Sequence, residues 1–149
     1  QHSSLRSLMA LIGGGGAGNV AGGANPSGVG SSINYIGNHA YAYSGTVTSA
    51  GSQSNPTTTA LQFDTAGSYI QAIVAWANTQ TSGTADNHFG VFIDSQAIFQ
   101  AQFREGGDSN HTNPKNLHIL IPPFSKFEVK VGTSADPHDW TITLVGDVY

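Results

Sequence analysis

"LIPPFSKFEVKV", residues 120–131, holds the pattern that decides the fold. In its second half Phe127, Val129 and Val131 alternate strictly with Lys126, Glu128 and Lys130. A period of two puts successive side chains on opposite faces, so this is a strand with one buried and one solvated side. In its first half, Ile121 is followed by Pro122 and Pro123, neither of which can donate a ladder hydrogen bond. One strand therefore ends at Ile121, and the next begins within two residues of Pro123. Such a short break between two strands predicts a tight corner from one sheet to another.

The same texture extends in both directions. "NLHILI" (116–121) turns Leu117, Ile119 and Ile121 inward, and "WTITLVGDVY" (140–149) does the same with Trp140, Ile142 and Leu144. Upstream, "YIQAIVAWAN" (69–78) places Ile70, Ala72, Val74 and Trp76 on one face, and "TTALQFD" (58–64) pairs Leu61 with Phe63. "HFGVFI" (88–93) and "QAIFQAQF" (96–103) flank the turn-like Asp94-Ser95, and "HAYAYSGTVT" (39–48) alternates Tyr41, Tyr43 and Val47 with small residues. Turn chemistry separates the runs: "GSQSNP", "TSGTADN", "EGGDSNHTNP" and "SADPHD". About eight strands and no convincing helix after residue 12 predict an all-β, antiparallel β-sandwich, best matched by a two-sheet jelly roll. No internal repeat is visible.

Residues 1–37 have another character. Leu5, Leu8, Met9, Leu11 and Ile12 can share one side of a short segment, and ten glycines follow between residues 13 and 37. That stretch lacks the apolar contacts to offset its own ordering entropy. The chain thus divides into an extended apolar and Gly-rich N-terminal arm, 1–37, and a β-sandwich domain, 38–149. It opens at Gln1, with Met9 a candidate internal start, and residues 2–12 lack the apolar run of a signal peptide.

Within the arm, Gly13, Gly15 and Gly18 satisfy G-x-G-x-x-G behind the apolar run Leu8–Ile12. A dinucleotide fingerprint needs a helix to follow, whose N-terminus receives the pyrophosphate, and an acid some 20 residues on. Here "NVAGGANPSGVGSS" follows, the first acid is Asp64 and the first lysine is Lys115. The loop therefore lacks the helix, the ribose partner and the Walker lysine. Its glycines suit passage through narrow gaps, since glycine accepts any backbone conformation.

The chemistry-bearing residues are sparse. Asp86-x-His88, His111, His118 and Asp136-x-His138-Asp139 have spacings that can reach a metal from loops, but the same residues are ordinary at turns and strand edges. Glu105 and Asp108 share one glycine loop, which supplies neither the rigid cleft nor the fixed separation of a glycosidase acid pair. There is no G-x-S-x-G elbow and no cysteine. No catalytic, cofactor or metal site is predicted. Tyr35, Tyr41, Tyr43 and Tyr69 can line a sugar-binding face, but packing in the core or at a subunit contact is the more ordinary use.

Charged residues are 9% of the chain, against roughly 25% in an average soluble domain. Such a surface is common where much of it faces other protein. The five basic residues, Arg6, Arg104, Lys115, Lys126 and Lys130, are too scattered to neutralise a run of phosphates, so no nucleic-acid partner is expected. No run approaches the roughly 18 apolar residues of a membrane helix, so no membrane partner is expected either.

Two segments, "MALIGGGGAGNVAGGANPSGVGSSINYIGNHAYAYSG" and "LHILIPPFSKFEVKV…TLVGDVY", resemble small virion structural proteins of marine tailed bacteriophages, over about Met9 to Tyr149. Residues 1–8 precede the Met at which such proteins would begin. The resemblance implies a head decoration (cement) protein: a jelly-roll body on the capsid surface, bound to the major capsid protein and to copies of itself as a trimer or dimer. The expected contact residues are those of the arm: Leu5, Leu8, Met9, Leu11, Ile12 and Val20. The rival expectation is a receptor-binding or tail-fibre tip module reading host glycans through loops around Asp86, Asp108 and Asp136. A free carbohydrate-binding domain of a secreted enzyme fits the arm less well.

Overall fold

The computed structural model describes residues 33–79, 85–105 and 116–149. Among these, nine strands form two sheets, every pairing is antiparallel and no helix occurs. They are β1 (Asn34–Ile36), β2 (His39–Thr48), β3 (Thr58–Asp64), β4 (Ile70–Thr79), β5 (Ala85–Ile93), β6 (Gln96–Glu105), β7 (Asn116–Ile121), β8 (Lys126–Thr133) and β9 (Asp139–Val148). One sheet has the order β1-β2-β9-β4-β7, the other β3-β8-β5-β6. The chain is an antiparallel β-sandwich.

The local reasons are readable. Asp94 and Ser95 both have positive φ, 50° and 66°, the backbone that a two-residue type I′ turn between β5 and β6 requires. The Pro122–Ser125 corner carries the chain from β7 in one sheet to β8 in the other. Its polar groups are closed internally: Ser125 N–H donates to Thr65 Oγ1 (2.9 Å), and the Thr65 hydroxyl to the Pro122 carbonyl (2.7 Å). β2 carries a bulge between Tyr43 and Thr46. There the buried Ser44 Oγ takes the place of a ladder carbonyl and accepts the Ile142 N–H at 2.8 Å.

The interior is built by the inward halves of these alternations. Trp140, Ile142 and Leu144 of β9, Ile70, Val74 and Trp76 of β4, and Phe127, Val129 and Val131 of β8 are all buried. Trp76 stacks across the sandwich on Phe89 of β5, ring centroids 4.1 Å apart. Burial of each such side chain stabilises by about 1.5–3 kcal/mol relative to leaving it in water.

The sheet begins earlier than the sequence implied. β1 falls inside the segment read as arm, and Ile33 is already in the core. Gly37, with φ of 58°, makes the hairpin turn to β2. Tyr35 of β1 packs partly against the core, and burial raises its phenol above the ordinary value of 10.0. The charged form is the disfavoured one, so Tyr35 contributes stability that is complete below about pH 10 and is lost as pH rises through its raised folded value. An alkaline titration followed by hydrogen exchange or NMR should therefore show β1 loosening above pH 10, and Tyr35→Phe should remove that step.

Candidate functional site

The long strands β2, β4 and β9 of the five-stranded sheet each bury one row of side chains and present the other outward, and Leu117 and Ile119 of β7 are half-buried on the inward side. Register then assembles the outward rows. Tyr41, Val145, Ile73 and His118 lie side by side across β2, β9, β4 and β7, and Tyr43, Thr143, Ala75 and Asn116 form the next row. Below them run His39, Asp147, Gln71 and Leu120. Among the described residues nine large hydrophobics are exposed, and seven of them belong to this face or its lower end: Ile36, Tyr43, Tyr69, Ile73, Leu120, Val145 and Tyr149. Leu120 is 57% exposed, Val145 47% and Ile73 38%. Tyr69 and Tyr149 stack on one another at 5.2 Å where β4 and β9 meet.

Charge is confined to the margins. Asp147 sits at one end of β9, 2.9 Å from His39 Nδ1, and Asp139 sits at the other end, where it accepts the Thr48 hydroxyl. Between them the outward residues of β9 are Thr141, Thr143 and Val145. Exposed apolar side chains alternating with neutral polar ones and few charges make a surface that suits a protein–protein contact.

The outer face of the other sheet is different. Lys126 and Lys130 straddle Glu128 at 3.6 and 3.9 Å, and Lys130 lies over the Phe92 ring at 5.0 Å. The alternation put Glu128 on the solvated side. It does point outward, yet its neighbours leave it only 5% exposed.

The remaining residues singled out from the sequence are scattered. His118 is exposed on the five-stranded face, whereas His88 and His138 are buried in separate surroundings. His138 Nδ1 lies 3.2 Å from Asn87 Oδ1, which also accepts from Asn78. Ser49 donates to the His138 carbonyl and accepts the Trp140 indole N–H, so its hydroxyl is not paired with the imidazole. This Ser-His-Asn grouping ties β4, β5 and β9 to the end of β2; it does not set a base against a nucleophile. Among the described residues no three His, Asp or Glu side chains group as metal ligands. Leu5, Leu8, Met9, Leu11, Ile12 and Val20 of the arm, with Asp108 and His111, lie outside the described residues.

Comparison with protein-family models, with curated proteins and with solved structures gave no match to this chain. No helix of the described residues is long and apolar enough to cross a membrane.

A second feature lies on the four-stranded side. Ser52, Gln53, Ser54, Asp86, His88, Gln102 and Ser134 line a groove of about 430 Å³. His88 Nε2 beside it is a buried side-chain nitrogen without a hydrogen-bond partner. Periodicity places Asp86 and His88 at the mouth of a strand, but gives no sign of the segment around Gln53, which Gln53 N–H anchors to the Thr133 carbonyl at 2.7 Å.

Proposed function

We propose that this chain is a non-enzymatic virion structural protein that decorates and stabilises a phage head. The observation that carries the reading is the polarised surface: one sheet exposes Ile73, Leu120 and Val145 with no lysine among the described residues, and the described lysines, Lys126 and Lys130, stand on the other. A face of that kind is costly to leave in water and suits packing on protein. The order β2-β9-β4-β7 facing β3-β8-β5-β6 is read as a jelly roll, with β1 an added edge strand. The arm ahead of Ile33 is read as the tether to the major capsid protein, through Leu5, Leu8, Met9, Leu11, Ile12 and Val20. The resemblance of the sequence to marine phage virion proteins supports the same assignment.

Gold-labelled antibody against the chain should decorate heads evenly on intact particles. Removal of residues 1–32, a cut that spares Ile33 and β1, should abolish binding to heads stripped of the protein while leaving the β-sandwich folded by circular dichroism. Label confined to the tail tip would overturn the head assignment. It would favour the glycan-reading alternative, whose supporting observation is the polar groove beside Asp86 and His88.

A further inference from the structure

We infer that the free edge of β7 docks an extended, uncharged segment of the head protein, which joins the five-stranded sheet as a sixth strand. The inference rests on the head-binding reading and adds to it the place and the kind of contact.

Ladder parity shows which backbone groups of β7 are free. Tyr149 N–H donates to the Tyr69 carbonyl at 3.0 Å, one step beyond the Ile70–Val148 pair of the β4–β9 ladder. In an antiparallel ladder hydrogen-bonded pairs recur at every second residue, so Gln71 and Ile73 also bond toward β9. Val148 N–H, which donates to the Asn38 carbonyl on the β2 side, obeys the same parity. Ile70, Ala72 and Val74 therefore bond toward β7, through Ile121, Ile119 and Leu117, and neither register is interrupted. The N–H and C=O groups of Asn116, His118 and Leu120 are left pointing away from the sheet. Among the described residues nothing pairs with them.

The four edge strands differ in how they resist such pairing. β1 is only three residues long. β3 and β6 each carry an extra residue, Ala60 and Ile98, where the register shifts, and a bulge spoils an edge as a template. β7 has none of these devices. It is six residues long, pairs with β4 without a shift, and contains no Asp, Glu, Lys, Arg or Pro. The prolines come only after it, at Pro122 and Pro123.

The edge also selects its occupant. A row of alternating donors and acceptors at strand spacing is matched by another extended backbone, the contact of β-strand addition. On the inward side Leu117 and Ile119 are only half-buried, so apolar residues at alternate positions of the added strand would cover them. β7 offers no charged partner to the incoming side chains, which favours an uncharged segment.

The test is amide hydrogen exchange of the full chain, free in solution and bound to heads, read after release from the particles. In the free chain Leu117, Ile119 and Ile121 should exchange slowly and His118 and Leu120 fast. On heads His118 and Leu120 should become slow as well. His118→Pro removes an edge N–H and spares the β4 ladder, so it should weaken binding to stripped heads about tenfold with an unchanged circular dichroism spectrum. His118→Ala keeps that N–H and should bind as wild type does. Slow His118 and Leu120 amides in the free chain would overturn the inference, because this chain or a second copy would already hold the edge. Equal losses for the alanine and proline variants would overturn it too, since the contact would then run through the imidazole. If the proline variant does not fold, the exchange pattern decides alone. A chain on heads whose His118 and Leu120 stay fast defeats the edge and spares the head reading; a chain absent from heads defeats both.

Discussion

Trp140→Ala is expected to destabilise the chain by about 3–5 kcal/mol, the range for removing a fully buried large aromatic. Trp140 is wholly buried and packs edge-on against Phe103, with centroids 6.0 Å apart. Its strand, β9, lies between β2 and β4, so a cavity there disturbs two ladders at once. The indole N–H also donates to Ser49 Oγ at 3.2 Å, and that hydroxyl in turn donates to the His138 carbonyl. Alanine therefore leaves a cavity and weakens a buried polar cluster, two costs that act together. Trp140→Phe separates them: it keeps most of the packing and should cost nearer to about 1 kcal/mol, the net worth of one hydrogen bond. Urea denaturation at fixed protein concentration measures both variants. An alanine variant within about 1 kcal/mol of wild type would mean that the sandwich interior around β9 is not packed as described.

The residues that make this core are legible in the sequence because period two is written into them. Phe127, Val129 and Val131, or Ile70, Val74 and Trp76, cannot all be buried in any register but one. β1 is not legible in the same way, since Asn34, Tyr35 and Ile36 are too few to display a period and stand at the end of a glycine-rich run. The Gly37-Asn38 pair after them, a hairpin turn signal, is the available clue.

The candidate face is invisible in the sequence for a deeper reason. Ile36, Tyr43, Ile73, Leu120 and Val145 come from five separate strands, and apart from Tyr43, which has Tyr41 beside it, each is the one large apolar residue on the wet side of its own segment. Only the β1-β2-β9-β4-β7 order brings them together on one face, and strand order is not carried by local periodicity. Tyr41 and Tyr43 illustrate the limit. Alternation puts both on one side of β2, but whether that side is the core, a sugar platform or a contact patch depends on Ala40 and Ala42 filling the interior instead.

Gly146→Ala carries the other large expected effect, about 1–3 kcal/mol of destabilisation from overpacking and toward the upper end of that range. Gly146 lies in β9 opposite Ala40 of β2 and Ala72 of β4, both buried. A Cβ there would stand 2.6 Å from the Gln71 carbonyl oxygen and 2.9 Å from both Ala72 Cα and Ile70 Cγ2. Two of those three atoms are backbone of the neighbouring strand, so no rotamer change can relieve the contact and β4 must move. Gly37 is the control, because its restriction is conformational rather than spatial: φ is 58° and nothing lies within 4 Å of an added Cβ. Gly37→Ala should cost only about 1–2 kcal/mol, the left-handed penalty for an L-residue. It should leave β9 untouched, whereas Gly146→Ala should also weaken hydrogen-exchange protection at the paired β4 amides. Equal costs with unchanged β4 protection would show that the close approach of β9 to β4 at Gly146 relaxes freely, and the same relaxation would shift Ile73 and Val145 on the outward face built on those two strands.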